Sequence, residues 1–384
     1  MNLTRVSALF KKSVKYFFLF VVGYYLLVYI VIPGSSNIIQ SVLTRKQPPV
    51  LTYGLLDQLS FVEKPVGTTK PEYLLNTKTG KVPTGLPSQM HIYEFKPFQY
   101  SYLAGKNAIS DAEILGFTEK DLVSDLKGSI YVWKNSPIQS TLSIEIESRQ
   151  LTLTTDLAGK GLAFTPGSIN AKNAISIGQN ILTSIGRFDK TYEEGYQTTR
   201  LGSFQGSKLY ESSDLYETQV VLVNYYRKID DYQILGPDPE KGLLRLYARK
   251  PMNIQNKTPL NNPFIEASYW EIVPTSKSSY PIIPVKEAWN AVKSGKGVIT
   301  NVTPKGANPF DTYVAADMER ILIDNIYLAY YETPKYQKYL QPIYVFSGTY
   351  TKIGDPGGYV IIYFPAVSGQ YIKQGNSAPT PASK

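Results

Sequence analysis

Few residues in this chain of 384 could do chemistry. There is one His and no Cys, so thiolate nucleophiles, disulfides and cysteine metal sites are excluded together. A Ser-His-Asp relay would have to use His91, which sits in QMHIYEF, and no G-x-S-x-G elbow accompanies it. That setting reads as a surface or strand-edge histidine. The three strings of a penicillin-recognising site all occur, as Lys78-Thr79-Gly80, Ser124-Asp125-Leu126-Lys127 and Ser168-Ile169-Asn170. Their order is wrong for that chemistry. A glycosidase needs two carboxyl groups held apart across a bond. The visible doublets, Glu193-Glu194 and Asp230-Asp231, are neighbours in sequence, and neighbours on a strand point to opposite faces. Asp238 and Glu240 lack the oxygen-rich spacing of a calcium loop. No catalytic residue, metal ligand or cofactor site is assigned.

What remains is aromatic. The chain holds 31 Tyr, 15 Phe and 3 Trp. Tyr225, Tyr226, Tyr327, Tyr330, Tyr331, Tyr344 and Tyr363 fall on expected strands. Outward-facing tyrosines would make a contact surface for a protein or glycan; Tyr225, Tyr226, Tyr330, Tyr331 and Tyr344 are the candidates for it. The alternative is that they close the core with their hydroxyls at its rim.

Charge speaks to location more than to partners. The formal net charge is +9, but residues 1–46 carry six cations and no acid, leaving +3 for the rest. No basic cluster of the kind that neutralises phosphates is left, which excludes a nucleic-acid partner. The uncharged run Tyr16–Ile32 is long enough, with its neighbours, to cross a hydrocarbon core as a helix. The excess of cations before it orients it. The expectation is a cytoplasmic tail (1–12), a transmembrane anchor in contact with lipid (13–33) and an extracytoplasmic remainder. Against a cleavable signal peptide stand the length of the run and the weak Pro33-Gly34-Ser35-Ser36 site.

Residues 34–96 are rich in proline (Pro48, Pro49, Pro65, Pro71, Pro83, Pro87) and read as a stalk. Residues 371–384 read as a disordered tail. Between them the pattern predicts three α+β units over 97–165, 166–280 and 281–370. Each opens with a short helix and continues into an antiparallel meander. The first helix closes at Gly116. The second runs from Ala171 to about Ile185, capped by Asn170, with Ala174, Ile177, Ile181 and Ile185 as its stripe and Gly186 as its stop. The third starts after Pro284 and stops before Gly295.

This layout resembles tandem PepSY-type modules. The segments PVKEAWNAVKSGKGVI, ILIDNIYLAYYETP, YLQPIYVFSG and GGYVIIYFPAV, within residues 284–367, are similar to the end of YycI/YycH-type proteins. The resemblance implies an N-terminal membrane anchor, exported helix-on-sheet modules and no enzymatic activity. It also implies a regulatory contact with an envelope protein such as a sensor kinase or protease. The other function that the residues allow is an envelope glycan-binding protein or a carboxylate-dependent hydrolase.

Overall fold

The computed structural model describes residues 49–98, 104–124, 129–156, 169–250, 258–352 and 354–374. In chain order, β1 (Glu72–Leu75) and β2 (Gln89–Phe95) precede helix α1 (Ala104–Ile114). Then come β3 (Leu122–Ser124), β4 (Ile130–Asn135), β5 (Ser140–Glu145) and β6 (Leu151–Thr155). Helix α2 (Ala171–Ser184) and the single turn α3 (Lys190–Glu193) lead into β7 (Tyr196–Gln205), β8 (Lys208–Glu211), β9 (Val220–Ile229), β10 (Tyr232–Leu235) and β11 (Leu244–Ala248). After the turn α4 (Thr258–Asn261) follow β12 (Phe264–Ala267), β13 (Ile272–Pro281) and helix α5 (Val285–Lys293). The chain ends on β14 (Val298–Pro304), β15 (Arg320–Tyr331), β16 (Tyr339–Lys352) and β17 (Asp355–Pro365).

Strand pairing corrects the expected fold class. Three separate helix-on-sheet units do not form. The first two merge into one antiparallel sheet, ordered β3-β4-β5-β6-β12-β11-β9-β7-β8. The joint is β6 against β12, with Leu153 opposite Ile265. A three-stranded meander leaves two edges with unpaired amides, and fusing the edges satisfies them. The last unit builds β14-β17-β16-β15. Its β15 edge is completed by two parallel strands from elsewhere in the chain, β1 and β10. The architecture is therefore a large mixed β-sheet network with a few helices laid on it.

Residues 50–98 are not a free stalk. β1 pairs with β15, and β2 pairs with both β13 and β16. Leu59 and Phe61 cover the face of β15 and β16 opposite α5, where Phe61 meets the Tyr331 ring edge-on at 4.8 Å. Prolines suggested a connector, but Pro65, Pro71, Pro83 and Pro87 all fall outside β1 and β2, where a missing N–H breaks no ladder. Among the described residues no helix is long and apolar enough to cross a membrane. The single-pass helix expected from the sequence is not among them. Residues 13–33 themselves, with the 1–12 tail and most of the 371–384 tail, lie outside the described residues.

The three helices form where their caps and stops predict. Asn170 Oδ1 accepts from Asn173 N at 2.8 Å, and Pro284 precedes α5. The buried stripe of α2 is Ala174, Gly178 and Leu182, so Ile177 and Ile181 sit only half-buried beside it. Gly178 moves the stripe, because its bare backbone admits the Tyr225 side chain from β9. The Tyr225 hydroxyl then donates to Ile175 O at 2.6 Å.

One strand joins the two sheets. Val221–Tyr225 of β9 pair with β11, while Arg227–Ile229 pair with β10. Arg227 stands at the crossing and is 2% exposed. Its Nη1 donates to both oxygens of Glu332 at 2.9 and 3.1 Å and to Trp270 O at 2.9 Å. Nη2 donates to Asp189 Oδ2 at 3.1 Å, and Nε to Thr191 Oγ1 at 2.7 Å. The guanidinium also lies over the rings of Tyr192 and Tyr269, at 5.2 and 5.3 Å. Burial pulls its pKa down, but the carboxylates of Glu332 and Asp189 hold it above the ordinary arginine value. Burial pushes the Glu332 carboxyl up while Arg227 pulls it down. The close contact of Nη1 with both carboxylate oxygens favours an ionised pair.

Two expectations follow. In Gly178→Ala, the new Cβ falls 2.8 Å from Leu246 Cδ2 and closer still to the Tyr225 hydroxyl. Helix propensity alone would favour Ala by about 1 kcal/mol. Overpacking reverses that sign, and urea midpoints should show a loss of about 1–3 kcal/mol. Arg227→Met leaves two carboxylates without their cation and should cost about 3–5 kcal/mol. A variant as stable as the parent in urea would show that the crossing does not depend on this cation.

Candidate functional site

The five tyrosines proposed as a contact surface are buried, none more than 4% exposed. The hydroxyls of four bond backbone carbonyls on other elements: Tyr225 to Ile175, Tyr330 to His91, Tyr331 to Ser60 and Tyr344 to Ile283. Tyr226 stacks on Tyr196 with ring centres 4.5 Å apart. They are core residues, not a binding face. On a sheet covered on both faces, strand alternation no longer separates inside from outside.

The other chemistry-bearing residues are engaged in structure. His91, on β2, places Nδ1 2.6 Å from Asp230 Oδ2, and the Tyr93 hydroxyl donates to the same oxygen. Asp230 and Asp231 are the two-residue β9–β10 turn, with φ of 47° and 66°. That is the pattern of a tight primed hairpin. Asp231 points to water beside Lys228. Glu194 pairs with Lys190, and Asp238 takes Lys64 at 3.2 Å and Asn301 at 2.9 Å. Glu240 takes Arg200. Asn170 of the Ser-x-Asn string is the α2 cap, and Lys78-Thr79-Gly80 is a turn after β1. Among the described residues no three acidic or histidine side chains gather as a metal site would require.

A site the sequence did not single out lies between α1 and the β5–β6 turn. It is a cleft of about 270 Å³, walled by Phe98, Ala108, Ile144, Ile146 and Trp270. Charge enters it from two helices. Asp111 sits on the buried face of α1 with Ala108 and Ala112. Arg187 follows the stop of α2. There Gly186, at φ +64°, donates to Thr183 O and Arg187 N to Leu182 O, both at 2.9 Å. This is the Schellman closure, which prefers an apolar residue at the position of Arg187. Helix α1 closes the same way and puts Phe117 there, buried. In α2 a cation takes the apolar seat, and it is fully buried.

Arg187 Nη2 donates to Asp111 Oδ2 at 3.1 Å. Its Nε and Nη1 are buried and have no acceptor among the described residues. Burial pushes the Arg187 pKa down to about 10 against the pull of Asp111, so the group is a cation at neutral pH. Burial raises the Asp111 carboxyl, with Arg187 and then Arg149 opposing. Arg149, exposed at the cleft mouth, takes a left-handed φ of 53° in the β5–β6 turn. The remaining carboxylates of the lining are Glu145, which accepts from the Ser148 hydroxyl, Glu271, paired with Lys96 at 2.9 Å, and the exposed Glu147. The signal was legible in principle: a charge on the apolar stripe of α1, and another where the close of α2 wants a hydrophobe.

No protein-family model and no curated protein matches the chain. Among solved structures it is similar to an uncharacterized protein from Eubacterium rectale ATCC 33656, known at 1.45 Å resolution. Identity is 10%, the alignment covers 75% of this chain and 86% of that one, and the TM-score is 0.41. A likeness at that level carries nothing over, and it speaks neither for nor against a YycI/YycH-type relationship.

The His91–Asp230 pair gives a pH expectation. Burial alone would raise Asp230, but the bonds from His91 and Tyr93 hold its carboxyl below the ordinary value of 3.8. A depressed folded pKa stabilises above the unfolded value, and the gain is lost as pH falls through the folded one. Asp230→Asn, which also tolerates φ > 0, should therefore lower the melting temperature at neutral pH. The gap to the parent should close below about pH 4. A gap that widens in acid would contradict the assignment.

Proposed function

We propose that this chain is a non-enzymatic, extracytoplasmic binding protein that docks another envelope protein at the Arg187 cleft. The observation that carries this is the fully buried Arg187, with two donors unused, beside a cleft lined by both apolar and charged side chains. Burying a charged donor without an acceptor costs more than the about 1–3 kcal/mol of a neutral one. A fold that keeps such a group beside a cavity has a use for it there. The engagement of His91, Asp230, Asp238 and Glu240 in structural bonds favours recognition over a hydrolase reading. The basic, apolar first 46 residues support a place outside the cytoplasm.

The test is site-specific photocrosslinking of the full-length chain in its native envelope. A crosslinker at Glu147, at the cleft mouth, should give one discrete protein adduct. The same group at Tyr359, exposed on β17, should give none. Equal labelling from both positions, or none from Glu147, would remove the cleft as a docking site.

A further inference from the structure

Resting on that reading, we infer that the docked partner seats a basic side chain of the lysine kind in a second cleft, on the other flank of α1. Ala104, Asn107, Ala108 and Asp111 of the helix line the Arg187 cleft, and Ile109 and Glu113 line this one. At about 3.6 residues per turn the two sets point to opposite flanks. The second cleft is about 210 Å³, enough for one side chain. Half-buried Ile109 and Leu122 are its walls, and the buried rings of Phe117 and Trp133 its floor. Glu113 and Glu119 stand exposed at its rim.

Charge complementarity selects the group. No basic residue lines the cleft. Neither rim carboxylate has an ion-pair or hydrogen-bond partner among the described residues. Asp121, on the same turn, is already taken by the Thr118 N–H at 2.8 Å and the Thr118 hydroxyl at 2.9 Å. The carbonyl end of α1 adds partial negative charge, and its last turn holds no basic residue to offset it. An anion is repelled there, and a neutral group gains nothing from the rim. No three acidic or histidine side chains gather among the described residues, which tells against a metal ion. An ammonium at the rim with its methylene stem against Ile109 and Leu122 meets both parts of the cleft.

The surroundings favour a polypeptide as the carrier of that ammonium. β3 is the edge of the first sheet and pairs with β4 alone among the described strands. Its outer side is open to another chain. Ile114 and Val123, next in sequence to Glu113 and Leu122, are left 43% and 60% exposed. A free amine would use neither feature.

Fluorine NMR on the full-length chain labelled with 5-fluorotryptophan tests this. The chain has three Trp, and the signal lost in Trp133→Phe is that of the cleft. The probes are N-acetyl-lysine methylamide, its norleucine counterpart (the stem without the ammonium), pentylamine and calcium ion. The lysine probe should shift the Trp133 signal and bind about tenfold tighter than the norleucine one, the factor that two exposed charge pairs supply. Glu113→Gln and Glu119→Gln should each weaken lysine binding about threefold. Both carboxylates are exposed, so norleucine binding and the urea midpoint should not change. In the native envelope the double variant should lower the yield of the Glu147 adduct severalfold. Equal binding of the lysine and norleucine probes, a Trp133 signal that neither moves, or an unchanged adduct yield overturns the inference. So does pentylamine binding tighter than the lysine probe, which would make the occupant a free amine, or calcium displacing it, which would make it a metal ion. A discrete Glu147 adduct with no lysine response sinks this inference alone. Loss of the adduct from the parent sinks the Arg187 cleft and leaves the second cleft to be judged by the lysine probe.

Discussion

The fold turns on a cation that has to be buried. Strand β9 leaves one sheet and enters another, and Arg227 is the residue at which it does so. An apolar side chain there would fill the space but would hold no direction. The guanidinium fork instead ties down four separate pieces of chain: the loop after β15 through Glu332, the α3 turn through Asp189 and Thr191, the loop after β12 through Trp270 O, and β9 itself. Asp189 is bonded twice more, by capping α3 and by accepting from the Tyr269 hydroxyl at 3.0 Å. Buried ion pairs contribute little net stability but strongly penalise other arrangements. This one fixes which segments meet at the β9 crossing.

The same logic explains the tyrosines. With no disulfide and no metal site among its described residues, long-range contacts there rest on packing, hydrogen bonds and ion pairs. Tyrosine supplies the first two, with a large apolar ring and one directed donor. Tyr280 reaches Gly54 O, Tyr330 reaches His91 O, Tyr344 reaches Ile283 O and Tyr363 reaches Gly236 O. Each bond crosses at least 61 residues of sequence. Burial keeps these hydroxyls protonated and therefore able to donate. Their abundance reflects the size of the sheet network rather than a binding surface.

Local structure was legible and assembly was not. Asn170, Gly116, Gly186, Pro284 and Gly295 mark helix ends by their own backbone chemistry, which neighbours cannot easily override. β15, Arg320–Tyr331, announces itself by a long run rich in Ile and Tyr. Sheet pairing depends on partners far away in sequence, and nothing local to Leu153 announces Ile265. β1 and β10 are four residues each, too short to show a period, so their parallel addition to β15 left no trace in the pattern. The cleft was missed for a related reason. Asp111 and Arg187 each break an apolar pattern locally, but nothing local says that they meet, since they are far apart in sequence.

That placement also explains why the cleft can remain half-satisfied. Helices α1 and α2 both bury their small residues, Ala108, Ala112, Ala174 and Gly178, against the first sheet. Small residues bring a helix close and leave little freedom to slide. Arg187 is fixed by the Schellman closure of α2, and Asp111 by the register of α1. In this arrangement they share one hydrogen bond, from Arg187 Nη2 to Asp111 Oδ2. At the Arg227 crossing, every guanidinium nitrogen has found a partner, because loops converge there and can adjust. At Arg187, Nε and Nη1 are buried and find no acceptor among the described residues.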